Sequence, residues 1–277
     1  MGQTLPRLWL CLAGICAASQ VCVTAMTQSG LNSVLISVLV WCGAWLCIED
    51  RLPSLPQHAG KFSLGLGTAL VLSALLRQSR IIHLDGATLI LPLWFALGLA
   101  CLRSRLSELK RWRKCLVVMA LPVLANWMER SLPQPLLADW TGQACKIVLM
   151  LLGMDASSSG GMVQLQGGSV EIVSECTGVV LITQLVMVAL IFLLVFPMHD
   201  IRQTTLALGA SVLIGFGVNV ARICLLAVIH ASGWPSGEWW FDFFHKDGGS
   251  LLFAGLAACL YGWVYLWLMR DAGPQDG

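Results

Sequence analysis

Long apolar runs separated by short polar segments fill nearly the whole chain. A helix that crosses a bilayer needs about 20 mostly apolar residues. Eight runs approach that length, at roughly 8–27, 31–48, 62–78, 86–102, 115–128, 177–196, 205–230 and 249–269. A ninth, about 140–153, has the length of a re-entrant or interfacial segment. Asp139 before it and Lys146 within it argue for lying on the membrane rather than crossing it. One stretch follows a different period. In Met162-Val163-Gln164-Leu165-Gln166 and Ser169-Val170-Glu171-Ile172-Val173, apolar and polar residues alternate around Gly167-Gly168, which signals a β-hairpin. The predicted fold class is an all-α integral membrane protein of about eight transmembrane helices, with a small external β-hairpin leading into Cys176.

Charge adds a topology. The chain has 277 residues, 57% hydrophobic and 12% charged, against about 25% charged in a soluble domain. That composition predicts the lipid bilayer as its surroundings, and a net charge of +2 is too small to suggest a nucleic-acid partner. Segment 103–114 carries Arg103, Arg105, Lys110, Arg111, Arg113 and Lys114 against a single acid, Glu108. The positive-inside rule places it in the cytoplasm. Counting through eight spans leaves both termini inside, together with 51–61 and 197–204, and collects eleven of the seventeen Lys and Arg residues there. Segments 129–176 and 231–248 then face outside; if 140–153 crosses instead, the second half inverts. The first apolar run lacks a small-residue cleavage site and reads as a retained helix.

Candidate chemistry concentrates in the second half. Eleven cysteines are present, and most sit inside apolar runs, where a thiol is a small packing residue. No CxxC or Cys/His ligand spacing occurs, so neither a metal nor a disulfide framework is expected. Cys176 differs. It stands in Glu175-Cys176-Thr177-Gly178, where a polar segment meets an apolar run. At the first turn of a spanning helix, free N–H groups and the dipole would favour a thiolate. Arg222 lies deep in the apolar stretch Val218–Leu226. An arginine there costs about 2.5–3.5 kcal/mol on insertion scales, so it is expected to face a cavity or a partner. Asn219, three residues earlier on the same face, is placed to hold the guanidinium. Two histidines are candidate bases for a thiol: His245, in His245-Lys246-Asp247-Gly248-Gly249, and His230, at the end of the Arg222 helix. His58, His83 and His199 have no chemical company nearby. Trp234, Trp239, Trp240, Phe241, Phe243 and Phe244 crowd the second external segment, as an interfacial belt or a wall for a substrate helix.

Glu175-Cys176-Thr177-Gly178 opening one helix, Asn219-Val220-Ala221-Arg222-Ile223 in the next, and His245 with Gly249 four residues on resemble the exosortase/archaeosortase family. The resemblance covers about 160–270. It implies a Cys–Arg–His site of Cys176, Arg222 and His245, and the histidine at the third position makes the chain similar to bacterial exosortases. Cys-Thr-Gly here replaces the family's frequent Cys-Ser-Gly and keeps a hydroxyl and the glycine. Together with the apolar runs and the charge pattern, the expected organisation is 1–128 as N-terminal transmembrane helices, 129–176 as an external segment with an interfacial helix and the hairpin, 177–270 as the catalytic core that the resemblance implies, and 271–277 as a disordered tail.

The resemblance further implies a multi-pass protein of the bacterial cytoplasmic membrane with an external active site. Its partners would be exported proteins carrying a C-terminal sorting signal: a short motif such as Pro-Glu-Pro, a transmembrane helix and a basic cluster. Cys176 would attack the scissile carbonyl, His245 would move the proton, and Arg222 would hold the thiolate or oxyanion. An unknown acceptor or water would resolve the thioester. No cofactor is implied. Two other readings remain: a membrane acyltransferase using the same cysteine, and a channel or assembly subunit with Arg222 on an ion pathway. The last requires intramembrane acids, which the apolar runs lack.

Overall fold

The structure, a computed structural model, describes residues 4–27, 30–49, 52, 59–80, 88–173, 176–198 and 200–270. The expected tail 271–277, Glu175 of the cysteine motif, and His58, His83 and His199 lie outside the described residues. The helices are α1 (Thr4–Met26), α2 (Leu31–Ile48), α3 (Lys61–Gln78), α4 (Leu91–Arg103), α5 (Arg113–Ser131), α6 (Gln134–Leu151), α7 (Val179–Val195), α8 (Ile201–Ala231), α9 (Gly237–His245) and α10 (Asp247–Arg270). Between α6 and α7 stand β1 (Ala156–Ser159), β2 (Met162–Leu165) and β3 (Gly168–Glu171). The chain forms two compact units, Met1–Asn126 with Leu194–Pro197, and Trp127–Leu193 with Met198–Gly277.

Each expected apolar run carries a helix, but the count of eight spans is not reached. Four described helices are long and apolar enough to cross a membrane: Leu8–Met26 of α1, α2, α8, and Gly248–Arg270 of α10. A fifth span results if Leu106–Ser131 and Gln134–Leu151 count together, although they bend by 81° at their break. Pro133 and Pro135 explain the break, since proline opens a helix readily but cannot continue one. The segment expected at 140–153 is thus the greater part of an 18-residue helix. With 13 and 17 residues, α4 and α7 fall short of a full crossing. Pro197 bounds α7 at one end, and the left-handed backbone of Gly178 (φ 88°) delays it at the other.

In the first unit, α3 and α4 pack backbone to backbone. A Cβ on Gly67 would stand 2.8 Å from both the Gly98 carbonyl oxygen and the Leu102 nitrogen. One on Gly98 would stand 2.7 Å from Val71 Cγ2. Ser63 Oγ also lies within hydrogen-bond reach of the carbonyls of Cys101 (2.9 Å) and Ser104 (2.6 Å), its one proton serving either. Small residues that admit close approach are a general means of joining helices in lipid, where apolar burial alone supplies little drive.

In the second unit, the three strands form an antiparallel sheet in the order β1-β2-β3. The period-two pattern is realised: Val163 pairs with Val170, and both are buried with Ala156 and Ile172 against Cys145, Leu149, Ile223 and Leu226 of α6 and α8. The turn lies one residue earlier than expected. Leu165 pairs with Gly168, leaving Gln166-Gly167 as the turn, with Gly167 at φ 110°. Gly168 is a strand residue whose missing Cβ admits His230, since a Cβ there would lie 2.9 Å from its Cδ2. Strand β1 was not expected. Its sequence, Ala-Ser-Ser-Ser, has no apolar alternation, but Gly160 (φ 59°) and Gly161 (φ 80°) form the two-residue turn into β2 that a type I′ geometry favours.

Gly67→Ala is expected to lower the thermal midpoint of the detergent-purified protein, because overpacking costs about 1–3 kcal/mol. Gly65→Ala, with nothing within 4 Å of the new Cβ, should be neutral or stabilising, since helix propensity favours alanine by up to about 1 kcal/mol. Equal midpoints for both variants would contradict the close α3–α4 contact.

Candidate active site

Three elements of the second unit converge on Cys176. The first is the turn before α7. Cys176 N–H donates to the Val173 carbonyl (2.8 Å), and Gly178 C=O accepts the first helical bond, from Ile182 N–H (2.9 Å). Cys176 therefore lies three residues ahead of the first helical residue, Val179, not in the first turn as the sequence implied. The residue itself is 3% exposed. Its neighbour Thr177 is anchored to α6: Thr177 Oγ1 donates to Gln134 Oε1 (2.9 Å), and Thr141 Oγ1 donates to the Thr177 carbonyl (3.1 Å). A hydroxyl at position 177 is what this anchoring needs, which serine or threonine supplies.

The second element is α8. Asn219, 1% exposed, donates from Nδ2 to the Cys176 carbonyl (2.9 Å). Its bond goes to the cysteine turn, and the guanidinium bonds to backbone carbonyls instead of to Asn219 Oδ1, contrary to the sequence reading. Gly178 makes this possible. A Cβ there would stand 2.8 Å from Asn219 Nδ2, and its left-handed φ is rarely adopted by other residues. One turn further along α8, Arg222 is 8% exposed. Its Nε donates to the Phe244 carbonyl (3.1 Å) and its Nη2 to the His245 carbonyl (2.8 Å). Both are backbone acceptors, so the acids that an ion pathway would require are not its partners. The guanidinium also lies within electrostatic range of Cys176, and of its five N–H donors at least two are committed to the carbonyls.

The third element is α9. The sequence left His245 in the segment 231–248 without a helix; it is the last residue of a short one. Aromatic pairs four residues apart stack along that helix: Trp239–Phe243 (5.6 Å), Trp240–Phe244 (5.8 Å) and Phe241–His245 (5.5 Å, interplanar 15°). Side chains at that spacing meet on one helix face, so the aromatic crowding orients the imidazole. His245 Nδ1 then lies 3.8 Å from Cys176 Sγ, across 69 residues of sequence. This is a loose sulfur–imidazole contact. A Cβ on Gly249 would overlap Phe244 Cα and the Phe243 carbonyl, so glycine is required where α10 turns back under α9.

The structure thus brings together Cys176, Arg222 and His245. His230 touches the Phe241 ring (5.6 Å) and lines a cavity of about 490 Å³ with Trp234, Glu238 and Asp242. Asn219 in its observed role, Gln134 and Phe241 were not legible as site residues. Phe241 carries a signal in hindsight, its i, i+4 spacing from His245; Gln134 carries none.

A family model described as transmembrane exosortase matches residues 8–262. The chain belongs to the exosortase family. The match takes in residues 8–150 as well as the motif-bearing second half, and every residue placed around Cys176 lies within it. No curated protein and no solved structure matches the chain. The several apolar helices and this membership make it a multi-pass membrane protein.

Gly178→Ala is expected to destabilise this exosortase-family protein by about 1–3 kcal/mol, combining left-handed strain with a clash on Asn219. Asn219→Ala should relieve part of that loss in the double variant. Thermal unfolding of the two single variants and the double variant measures the coupling, and strict additivity would separate Gly178 from Asn219.

Proposed function

We propose that the protein is a membrane cysteine peptidase or transpeptidase that removes a C-terminal sorting signal from exported proteins. The observation that carries this reading is the 3.8 Å approach of Cys176 Sγ to His245 Nδ1 beside a buried arginine, in a chain of the exosortase family. A thiol within reach of an imidazole is the minimal apparatus of covalent acyl transfer. His245 takes the Cys176 proton as the sulfur attacks the scissile carbonyl. The tetrahedral adduct collapses to a thioester, and the imidazolium gives its proton to the departing amine, which leaves with the C-terminal transmembrane helix. Water, or an acceptor amine or hydroxyl, then attacks the thioester and returns the thiol.

Arg222 serves twice in this scheme. Its two bonds to the Phe244 and His245 carbonyls hold the histidine end of α9 over the sulfur. Its charge offsets the negative charge that develops on sulfur and oxygen. A permanently charged guanidinium suits that electrostatic role better than proton donation. The substrate fits the setting: a peptide whose own helix lies in the bilayer presents its cleavage site at the membrane surface. On the positive-inside reading of 103–114, that surface is the external face of the bacterial cytoplasmic membrane.

Three outcomes test this reading. Co-expressed with a tagged substrate bearing such a signal, Cys176→Ala and Cys176→Ser should accumulate to normal levels and leave the signal in place. His245→Ala should slow its removal by on the order of 10²-fold or more, while His230→Ala should change it little. Arg222→Lys keeps the charge but cannot reach both carbonyls as a planar fork does, so it should fall well below the wild type. Normal processing by Cys176→Ala would end the thioester mechanism. Separately, topology reporters fused after Lys114 and after Gly168 should report opposite sides of the membrane; the same side for both would place Cys176 in the cytoplasm.

A further inference from the structure

The first unit contains a feature that peptide cleavage does not use. Helices α1, α2, α4 and α5 enclose an apolar groove of about 540 Å³, lined among others by Trp9, Gly14, Trp41, Trp45, Trp112 and Met119. No charged side chain lines it. The size suits a small-molecule or lipid ligand, for which sites run about 300–1,000 Å³. It does not suit a spanning helix: a cylinder 10–12 Å across would fill this volume in little more than about one turn.

Positive charge gathers where two of the tryptophans meet. The rings of Trp9 and Trp112 lie 5.6 Å apart. The Arg103 guanidinium stands over Trp9, 5.1 Å from its centroid. Arg103 is 8% exposed, and its Nε is buried with no hydrogen-bond partner among the described residues; Nη2 donates to the Leu52 carbonyl (3.1 Å). Trp112 is tied in place by Nε1–H donation to Ser104 Oγ (3.1 Å), and its sequence neighbours Arg111 and Arg113 are exposed, as are Arg105 and Lys110. The one acid of the segment, Glu108, accepts from the Arg105 backbone N–H (3.1 Å). The uncharged, tryptophan-lined groove therefore has Arg103 against its Trp9, and its Trp112 is flanked in sequence by the exposed Arg111 and Arg113.

We propose that the groove and segment 103–114 form a binding site for an anionic phospholipid, with acyl chain in the groove and the phosphate against the exposed arginines. Basic clusters beside membrane helices attract anionic head groups by about 1 kcal/mol per cation, or roughly fivefold in affinity. Charge complementarity selects this occupant over a neutral lipid. It also disfavours a peptide helix with a basic end, which the same cations would repel.

The test uses the full chain purified and reconstituted into nanodiscs of phosphatidylcholine carrying a photoactivatable phosphatidylglycerol. Cross-links should concentrate on peptides containing Gly14, Trp41–Trp45 and Trp112–Met119, and excess unlabelled phosphatidylglycerol should compete where phosphatidylcholine does not. Gly14→Leu fills the groove from a position where a Cβ meets nothing within 4 Å, and should cut this labelling at least fivefold. The combined Lys110→Gln, Arg111→Gln and Arg113→Gln variant should lose labelling by phosphatidylglycerol and retain that by a phosphatidylcholine probe. Equal labelling by the two lipid probes in the wild type would overturn the charge selectivity. Labelling no denser than on the lipid-facing side of α10, or displacement by an apolar peptide helix with a basic end, would overturn the site.

Discussion

The two hydrogen bonds from Arg222 to the carbonyls of Phe244 and His245 set the geometry on which the candidate site depends. A guanidinium inside an apolar helix is costly unless its donors are satisfied. Here acceptors come from the C-terminal end of α9, where helix carbonyls lack intrahelical partners. Each side solves the other's problem: the buried charge finds acceptors, and the exposed helix end finds donors. The consequence is positional. α9 cannot leave α8 without stranding a buried charge, so His245 stays over Cys176.

The opposing wall is held by neutral groups. Asn219 grips the Cys176 carbonyl from α8, and Thr141 and Gln134 grip Thr177 from α6. Residues 219 and 222 are neighbours on one face of one helix, so α8 holds the sulfur turn with one residue and the histidine helix with the next. A single element thereby fixes the distance between the Cys176 turn and His245. Glycines 178 and 249 let the two walls approach, each by lacking a Cβ that would strike Asn219 or the end of α9.

The sheet serves the same end from beneath. Val163, Val170 and Ile172 pack on α6 and α8, and Gly168 admits His230. The chain is thereby delivered to Val173, whose carbonyl accepts from Cys176. The aromatic stacks of α9 complete the site by orienting the imidazole through Phe241. The first unit stands apart in chemistry, with its own tight helix pair and its tryptophan-lined groove.

Hydropathy alone determined where the long helices run, though not the short α9, because burying backbone in lipid demands a helix wherever an apolar run is long enough. It did not determine how many cross, since Pro133, Gly178 and Pro197 shorten or bend segments in ways that a window average conceals. The period-two alternation determined β2 and β3, whereas β1, made of serines after its first residue, gained its place only by pairing. Cys176 and Arg222 were legible as chemically anomalous residues in anomalous places; His245 was one of two candidate bases, and the order of the three along the chain was legible as a family resemblance. Their meeting was not legible. Sixty-nine residues separate the cysteine from the histidine, and what joins them is a set of side-chain bonds to backbone carbonyls. Any side chain's sequence context leaves such acceptors open, because every residue carries the same carbonyl; only the packed structure decided that Asn219 would take that of Cys176 and Arg222 those of Phe244 and His245.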